Sequence, residues 1–506
     1  MSYPDVDGDV RWDPAHFCRD AQIERHKQTY GVDFGTDKEL ILVERSNDDH
    51  HPGWGSVHVQ GAVILRRADP ETESAVVTVE TIVTDDRLRV YSSWDAEAGA
   101  LELIVPRTVE WGRDRARACV NFKVTVWVPE GSSLRHLVTD VEHLDIKLLD
   151  NLSLSVADGS KLSSIVGTIT SASTGVSTRD NNNLLQEAVA TPPPNYHFHS
   201  RIIDVRTTSA NINGAWPLYD YLGLQSASGN IRVAINPHPA EEGAEAKPAM
   251  LYIKTLSGDV DFREPIHTAE GTFRIGQTLP GTADRQRALA RAEARLPPRE
   301  YRVDVHTTSG DIVGAAAFGA TAGFRSTSGT ISLELLPVLD ATLAEEGARE
   351  VELSTASTSG ATDVKVLEPL WVDDLVSGAA QGHGQGESMR RGYVGMETPD
   401  VATSATAVSA TGGGKGKPLR CLSGLHTTTS AKIKLRYPAS WEGDISLSTL
   451  TGSLQVGGEG VKLIKAGSDW PGVNKMVLAR KGEKGEGGKV QGRSTSGDVD
   501  TWVGEK

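Results

Sequence analysis

An eight-residue pattern recurs through the middle and C-terminal parts of this chain: apolar, x, Thr or Ser, x, Ser, Gly, x, apolar. It is the feature that most limits the possible folds. Copies begin at Val205, Leu224, Ile253, Val305, Phe324, Leu447 and Gly492, the fourth reading Val-His-Thr-Thr-Ser-Gly-Asp-Ile up to Ile312. Degenerate copies at 162–169, 353–364 and 425–433 have one position changed or a residue inserted, so ten turns are visible. Their turn residues are Ser209, Ser228 with Gly229, Ser257 with Gly258, Ser309 with Gly310, Ser328 with Gly329, Thr451 with Gly452, and Ser496 with Gly497. Gly310 and Gly329 are 19 residues apart, which makes the natural unit a coil of about 20 residues.

A strand alternates its side chains, so the leading apolar residue and the Thr or Ser two places later share one face, and Ser-Gly then lets the backbone bend. One such coil buries too little to offset an ordering entropy of roughly 1 to 2 kcal/mol per residue. Coils must therefore stack, with backbone ladders running between them and stacked Thr and Ser hydroxyls able to bond one another across rungs. The expected fold is all-β: an elongated parallel β-solenoid of about ten Thr/Ser-Ser-Gly coils, roughly 50 Å long at about 4.8 Å per rung. Stacking also explains how 506 residues avoid division into several separate cores.

Ahead of the repeats, residues 1–37 show no period and read as an irregular extension, with a short helix near 14–27. A β-rich N-terminal region follows over 38–131, with alternating runs at 39–45, 56–66, 75–84, 87–92, 100–105 and 119–128. In the last of these Val120, Phe122, Val124, Val126 and Val128 take one face, and Pro129-Glu130-Gly131 ends it. The solenoid occupies 132–374 and resumes over 419–506. Between the two parts, 375–418 is a low-complexity insertion too poor in apolar residues to order itself. Within the first part, Ala288, Leu289, Ala292 and Leu296 recur at helical spacing, which predicts a short inserted helix over 282–296 before Pro297-Pro298 stops it.

A net charge of −15 repels nucleic acid and anionic lipid. Cys18, Cys119 and Cys421 form no metal-type pair and allow at most one bridge. No apolar run spans a bilayer, Met1 to Pro14 lacks a secretory pattern, and the C-terminal repeat copy lacks an anchor tail.

The Thr-x-Ser-Gly-Asp-Ile type repeats, following a Val-rich strand ended by Val126-Trp-Val-Pro-Glu-Gly131, resemble the adhesin-like β-solenoid repeat family of bacterial and fungal proteins over about residues 40 to 506. One Ser-Gly-Asp is a common turn; seven strict copies with the lead-in strand are specific. The resemblance implies a solenoid without assigned catalytic residues, acting as a structural or adhesive surface whose partner is an unidentified protein or glycan. It also implies surface exposure. The missing export signal leaves a cytoplasmic address open.

Three groups of side chains invite a chemical reading. Asp259, Asp311 and Asp498 follow the turn at one coil position and could form a calcium ladder; Asn211, Asn230, Thr330 and Ser453 fill the same slot, which favours turn formation. His197 and His199 share a strand face without a third ligand nearby, and His50 and His51 fall in a polar loop. Trp216, Trp441 and Trp502 could stack on sugars, although irregularly spaced Trp usually packs. A polysaccharide-binding or polysaccharide-active β-helix is the rival class, but its carboxylates would break the repeat, whereas here they recur with it. The reading is therefore a non-enzymatic protein with no catalytic, cofactor-binding or metal residues. Replacing Ile312 by Asp should unfold the body, and an unchanged thermal melt would contradict stacking.

Overall fold

The computed structural model describes residues 24–47, 54–68, 75–84, 88–109, 118–149, 151–172, 196–240, 247–266, 296–340, 350–372, 417–469 and 473–505. The elements are strands, gathered into two long and mostly parallel sheets of 16 and 17 strands, here called the back and front sheets, with one small two-stranded pair. The chain passes repeatedly from one sheet to the other. Ile202–Thr207 lies in the front sheet, Ile212–Leu218 in the back, Tyr221–Ser226 in the front again and Ile231–Pro237 in the back. Each pairs in parallel with its counterpart one coil away, Thr207 opposite Ser226 and Ile212 opposite Ile231. Such pairing is consistent with a solenoid.

Period-two alternation places the core between the sheets. In Tyr301–Thr307 the odd-numbered residues are buried while Arg302, Asp304 and His306 are partly exposed. Buried residues from both sheets join in one continuous apolar cluster running from Val32 to Val503. Ile312 at its centre is fully buried, and such a side chain contributes about 1.5 to 3 kcal/mol.

The order of rungs in space departs from the order in sequence at both ends. Glu39–Asn47 pairs with Ala100–Pro106 on one side and with Ser132–Val141 on the other, and His58–Arg67 sits likewise between Cys119–Val128 and Asp145–Leu148. The first rung of the sequence is thus interior. Outside it, Val76–Val83 runs antiparallel to Cys119–Val128, Glu24–Gly31 antiparallel to Val76–Val83, and Tyr91–Asp95 antiparallel to Ala100–Pro106. At the other end the last repeat copy does not close the stack. Gly488–Ser494 lies between Leu422–Thr428 and Gly443–Thr449, and Val499–Val503 between Ile433–Tyr437 and Leu454–Gly458. The hairpin of Lys462–Asp469 and Val473–Lys481 covers the front-sheet end before the chain returns to fill the gap.

Two expectations of helix fare differently. Residues 24 to 27, expected to be helical, open the strand Glu24–Gly31, because the free edge of Val76–Val83 offers its backbone a full ladder. The inserted helix over 282–296 falls, Leu296 apart, outside the described residues, as does most of the low-complexity insertion.

Glycine recurs at the turns because successive coils touch there. A methyl group on Gly310 would sit 1.9 Å from the Gly258 carbonyl oxygen, and one on Gly329 1.8 Å from that of Gly310. Gly310→Ala should therefore cost about 2 kcal/mol or more, whereas Gly467→Ala, with open space around it, should leave the denaturation midpoint nearly unchanged. Equal midpoints for the two variants would contradict a close-contact role for the turn glycine.

Candidate interaction face

Three hydrogen-bonded columns run along the turns. The Thr307 hydroxyl accepts the Gly310 N–H of its own turn at 3.1 Å and donates to the Gly258 carbonyl of the neighbouring coil at 3.3 Å. Ser226, Thr255, Ser326 and Thr449 bridge in the same way. In the copy beginning at Val205, where Ala210 takes the place of the turn glycine, the Ala210 N–H reaches the Thr207 hydroxyl at 3.3 Å. A second column is made by the turn serines. Ser209, Ser228, Ser257, Ser309, Ser328 and Ser496 each donate a hydroxyl to a carbonyl of the adjacent coil at 3.2 to 3.4 Å. Thr451 and Ser496 donate their backbone N–H groups to the carbonyls of Thr495 and Thr429.

The third column is the slot read as a calcium candidate. The Asn211 side-chain oxygen accepts the Asn230 N–H at 2.8 Å, Asn230 that of Asp259 at 2.8 Å, Asp259 that of Asp311 at 3.1 Å, and Asp311 that of Thr330 at 2.7 Å. Asp498 accepts from the backbone and hydroxyl of Ser453, whose hydrogen bonds hold its carboxyl below the usual range. One side-chain oxygen and one N–H per step is the chemistry of a turn ladder. Asp498 stacks against Ser453, away from Asp259 and Asp311.

Polar groups also occupy the interior. The degenerate copy at 425–433 is in regular register once His426 is placed in the inward apolar slot, leaving Leu425 exposed. His426 Nδ1 lies 2.9 Å from the Thr355 hydroxyl and Nε2 2.8 Å from the Tyr437 hydroxyl, all buried. Burial holds His426 down to about 3 and pushes the Tyr437 phenol far up. In the N-terminal region the buried carboxylate of Glu44 accepts the N–H groups of Glu142 and His143 at 2.9 Å and meets His143 Nδ1 at 2.8 Å, raising that histidine. Arg299, fully buried, donates to the carbonyls of His238 at 2.9 Å and Lys247 at 2.6 Å and to Asp220 at 3.2 Å, pinning the connection after Pro237. Glu264, pushed up to about 8 by burial, accepts the Ala317 N–H at 2.7 Å. None of these groups stands out in the sequence, because the repeat pattern expects an apolar residue or a loop at each place.

His197 and His199 stand side by side, ring centroids 6.4 Å apart. His199 and His238 each pack on Tyr219 at 4.3 Å. Burial first, then the electrostatic influence of His197, His199 and Arg299, brings His238 down to about 4. Among the described residues no three His, Cys, Asp or Glu side chains converge as metal ligands. His50 and His51 fall outside them. Trp216 and Trp441 are fully buried and donate to the carbonyls of Asn213 and Leu422, so neither is a sugar platform. Trp502 donates to the Glu505 carbonyl. Cys119 is disulfide-bonded and Cys421 carries a free thiol that burial pushes up to about 11.

What the sheets present outward differs between them. On the back sheet Lys365 meets Glu334 at 2.6 Å, and Lys434 and Arg436 share Asp363 at 3.3 and 3.0 Å. On the front sheet the residues preceding the hydroxyl column align as Arg206, Gln225, Lys254, His306 and Arg325 on successive rungs. Arg206 pairs with Asp204 at 2.7 Å and His306 with Asp304 at 2.7 Å. Lys254 and Arg325, flanking His306, are exposed and have no hydrogen-bonding or ionic partner among the described residues. They line a shallow groove of about 690 Å3 with Tyr252, His306, Thr308 and Thr327, and its lining contains no carboxylate. The Tyr252 and His306 rings are 6.4 Å apart.

No family model and no curated protein matches the chain. The likeness to adhesin-like proteins reappears among solved structures. A "putative cell adhesion protein" from Clostridium sporogenes aligns over 95% of this chain and 100% of its own at 7% identity and a TM-score of 0.16. A "putative adhesin" from Parabacteroides distasonis covers 70% and 96% at 9% identity with a TM-score of 0.19, and one from Parabacteroides merdae 69% and 97% at 7% identity with a TM-score of 0.14. At such scores the likeness carries no weight for function.

Because His426 is held down to about 3 in the folded protein, it stays neutral there while the unfolded chain protonates near 6.5. Its stabilisation is complete above pH 6.5 and is lost as pH falls from 6.5 toward 3, by about 1 kcal/mol per pH unit. His426→Gln should remove that slope. Urea titrations at pH 7.5, 6 and 5 giving parallel losses in both proteins would contradict it.

Proposed function

We propose that the chain is an elongated parallel β-solenoid of about ten Thr/Ser-Ser-Gly coils that works as a non-enzymatic structural or adhesive surface. In this reading Ser209, Ser228, Gly229, Ser257, Gly258, Ser309, Gly310, Ser328, Gly329, Thr451, Gly452, Ser496 and Gly497 are its structural turns. The body comprises 132–374 and 419–506, with 38–131 as a β-rich N-terminal region, 1–37 as an extension and 375–418 as an insertion. The observation that carries the reading is where perturbed groups lie. Active sites gather side chains with shifted pKa values in a cleft. Here His426, Tyr437, His238 and Glu264 are buried in packing and none of them lines the front-sheet groove. The groove instead offers unpaired cations, hydroxyls and one aromatic ring, the equipment of a binding face.

A surface address accords with this reading. The disulfide at Cys119 belongs to the chemistry of an oxidising compartment. No helix among the described residues is long and apolar enough to cross a membrane. Of the rival class, the carbohydrate-binding half is favoured by Tyr252 beside the hydroxyl rungs.

The test is protease shaving of intact cells that make the protein, with mass spectrometry of the released peptides, alongside attachment of beads coated with the purified protein to immobilised glycans and host proteins. Released front-sheet peptides and bead attachment are expected. A protein protected from shaving whose beads attach to nothing, or one that depolymerises a polysaccharide, would overturn the proposal.

A further inference from the structure

We infer that the front-sheet groove is a binding site for an anionic glycan, a polysaccharide carrying sulfate or carboxylate groups, with Lys254 and Arg325 as its charge contacts and Tyr252 as its stacking platform. The inference rests on the binding-face reading above and names the ligand class for it.

Geometry supplies the first argument. Lys254 lies opposite His306, and His306 opposite Arg325, on three adjacent parallel strands. Two rung spacings separate the unpaired cations by about 10 Å, the span over which a polysaccharide with one anion per disaccharide repeats its charge. His306 between them is already engaged by Asp304 at 2.7 Å. The site is therefore a pair of separated cationic points, unlike the single focus that suits a free inorganic anion.

Chemistry supplies the second. Thr308 and Thr327 expose side chains along the rim, and a line of hydroxyls can meet sugar hydroxyls as donor or acceptor alike. Tyr252, half-buried beside His306, presents an aromatic ring of the kind on which a pyranose face packs. A nucleic-acid duplex carries one phosphate per roughly 1.7 Å of its axis, far denser than two cations about 10 Å apart can match, and the net charge of −15 repels so dense a polyanion more than a glycan charged once per disaccharide. An extended acidic peptide would add to a sheet through its backbone, and this groove lies on a face whose backbone groups are paired on both sides.

The test uses the full chain and calorimetric titration at 50 and 200 mM salt. Probes are a sulfated glycosaminoglycan hexasaccharide, a uronate hexamer, an uncharged hexasaccharide and polyglutamate. Proteins are wild type, Lys254→Gln/Arg325→Gln, Tyr252→Ala, and Lys365→Gln on the back sheet as a charge control, each checked by thermal melting. The sulfated or uronate probe should bind wild type, about tenfold or more weaker in the double variant and in Tyr252→Ala, and weaker still at higher salt. Lys365→Gln should bind as wild type does. Equal affinity for the uncharged probe, unchanged binding in the double variant, or no binding by any probe would overturn the proposal. Tighter binding of polyglutamate would assign the groove to an acidic protein instead. If beads of the double variant attach to surfaces as wild type does, only this ligand class fails; if wild-type beads attach to nothing, the binding-face reading fails with it.

Discussion

The fold depends on a single repeated contact: the hydroxyl of a buried Thr or Ser that accepts an N–H from its own turn and donates to a carbonyl of the next coil. The first bond closes the turn as a cap closes a helix, and the second ties that turn to its neighbour. Because both bonds use one small side chain, the turn can be buried without orphaned backbone groups. Contact is close three residues on, where Gly310 and Gly329 stand for reasons of space, having no left-handed backbone angle, and where Ala210 and Ala431 take the same place in their turns. A larger residue would part the coils and weaken both bonds together.

The places of Thr, Ser and Gly were legible in the sequence, since they recur at fixed offsets and alternation assigns their faces, but their bonds were not: hydroxyls were expected to bond one another across rungs, and in these turns they accept an N–H of their own turn and donate to a carbonyl of the next coil. The meaning of glycine was only half legible: the bend was evident, the carbonyl of the adjacent coil was not. His426 was harder still. A pattern that expects an apolar residue takes Leu425, while the structure turns His426 inward because Thr355 on the adjacent rung and Tyr437 across the core satisfy its two ring nitrogens. Such compensation between coils leaves no mark on either coil alone. The groove is invisible for a related reason. Lys254 lies 52 residues before His306 in the chain, and parallel pairing sets Lys254, His306 and Arg325 on three adjacent rungs.

Rung order at the ends is likewise undetermined by sequence, because equivalent coils can stack in any order that keeps their columns in register. The order adopted solves a problem that every stacked sheet has. An end coil presents a row of unpaired backbone groups, open to another chain. Placing the first and last copies one rung inward lets the chain finish with antiparallel strands of different character, Glu24–Gly31 with its Arg, His and Lys at one end and the lysine-bearing hairpin ending at Lys481 at the other. The repeat thus builds the length and non-repeat strands terminate it.

Regular stacking also explains how an acidic protein can carry a cationic groove. Any position along a coil becomes a column when coils stack, so a few substitutions at one outward position build a line of charge without disturbing the interior. On the back sheet such columns hold both signs, and Glu334 and Asp363 neutralise Lys365, Lys434 and Arg436. On the front sheet the acidic partners Asp204 and Asp304 neutralise Arg206 and His306, while Gly323 occupies the equivalent place beside Arg325 and Tyr252 that beside Lys254. With glycine or tyrosine in place of a carboxylate at those two rungs, Lys254 and Arg325 have no ionic partner among the described residues.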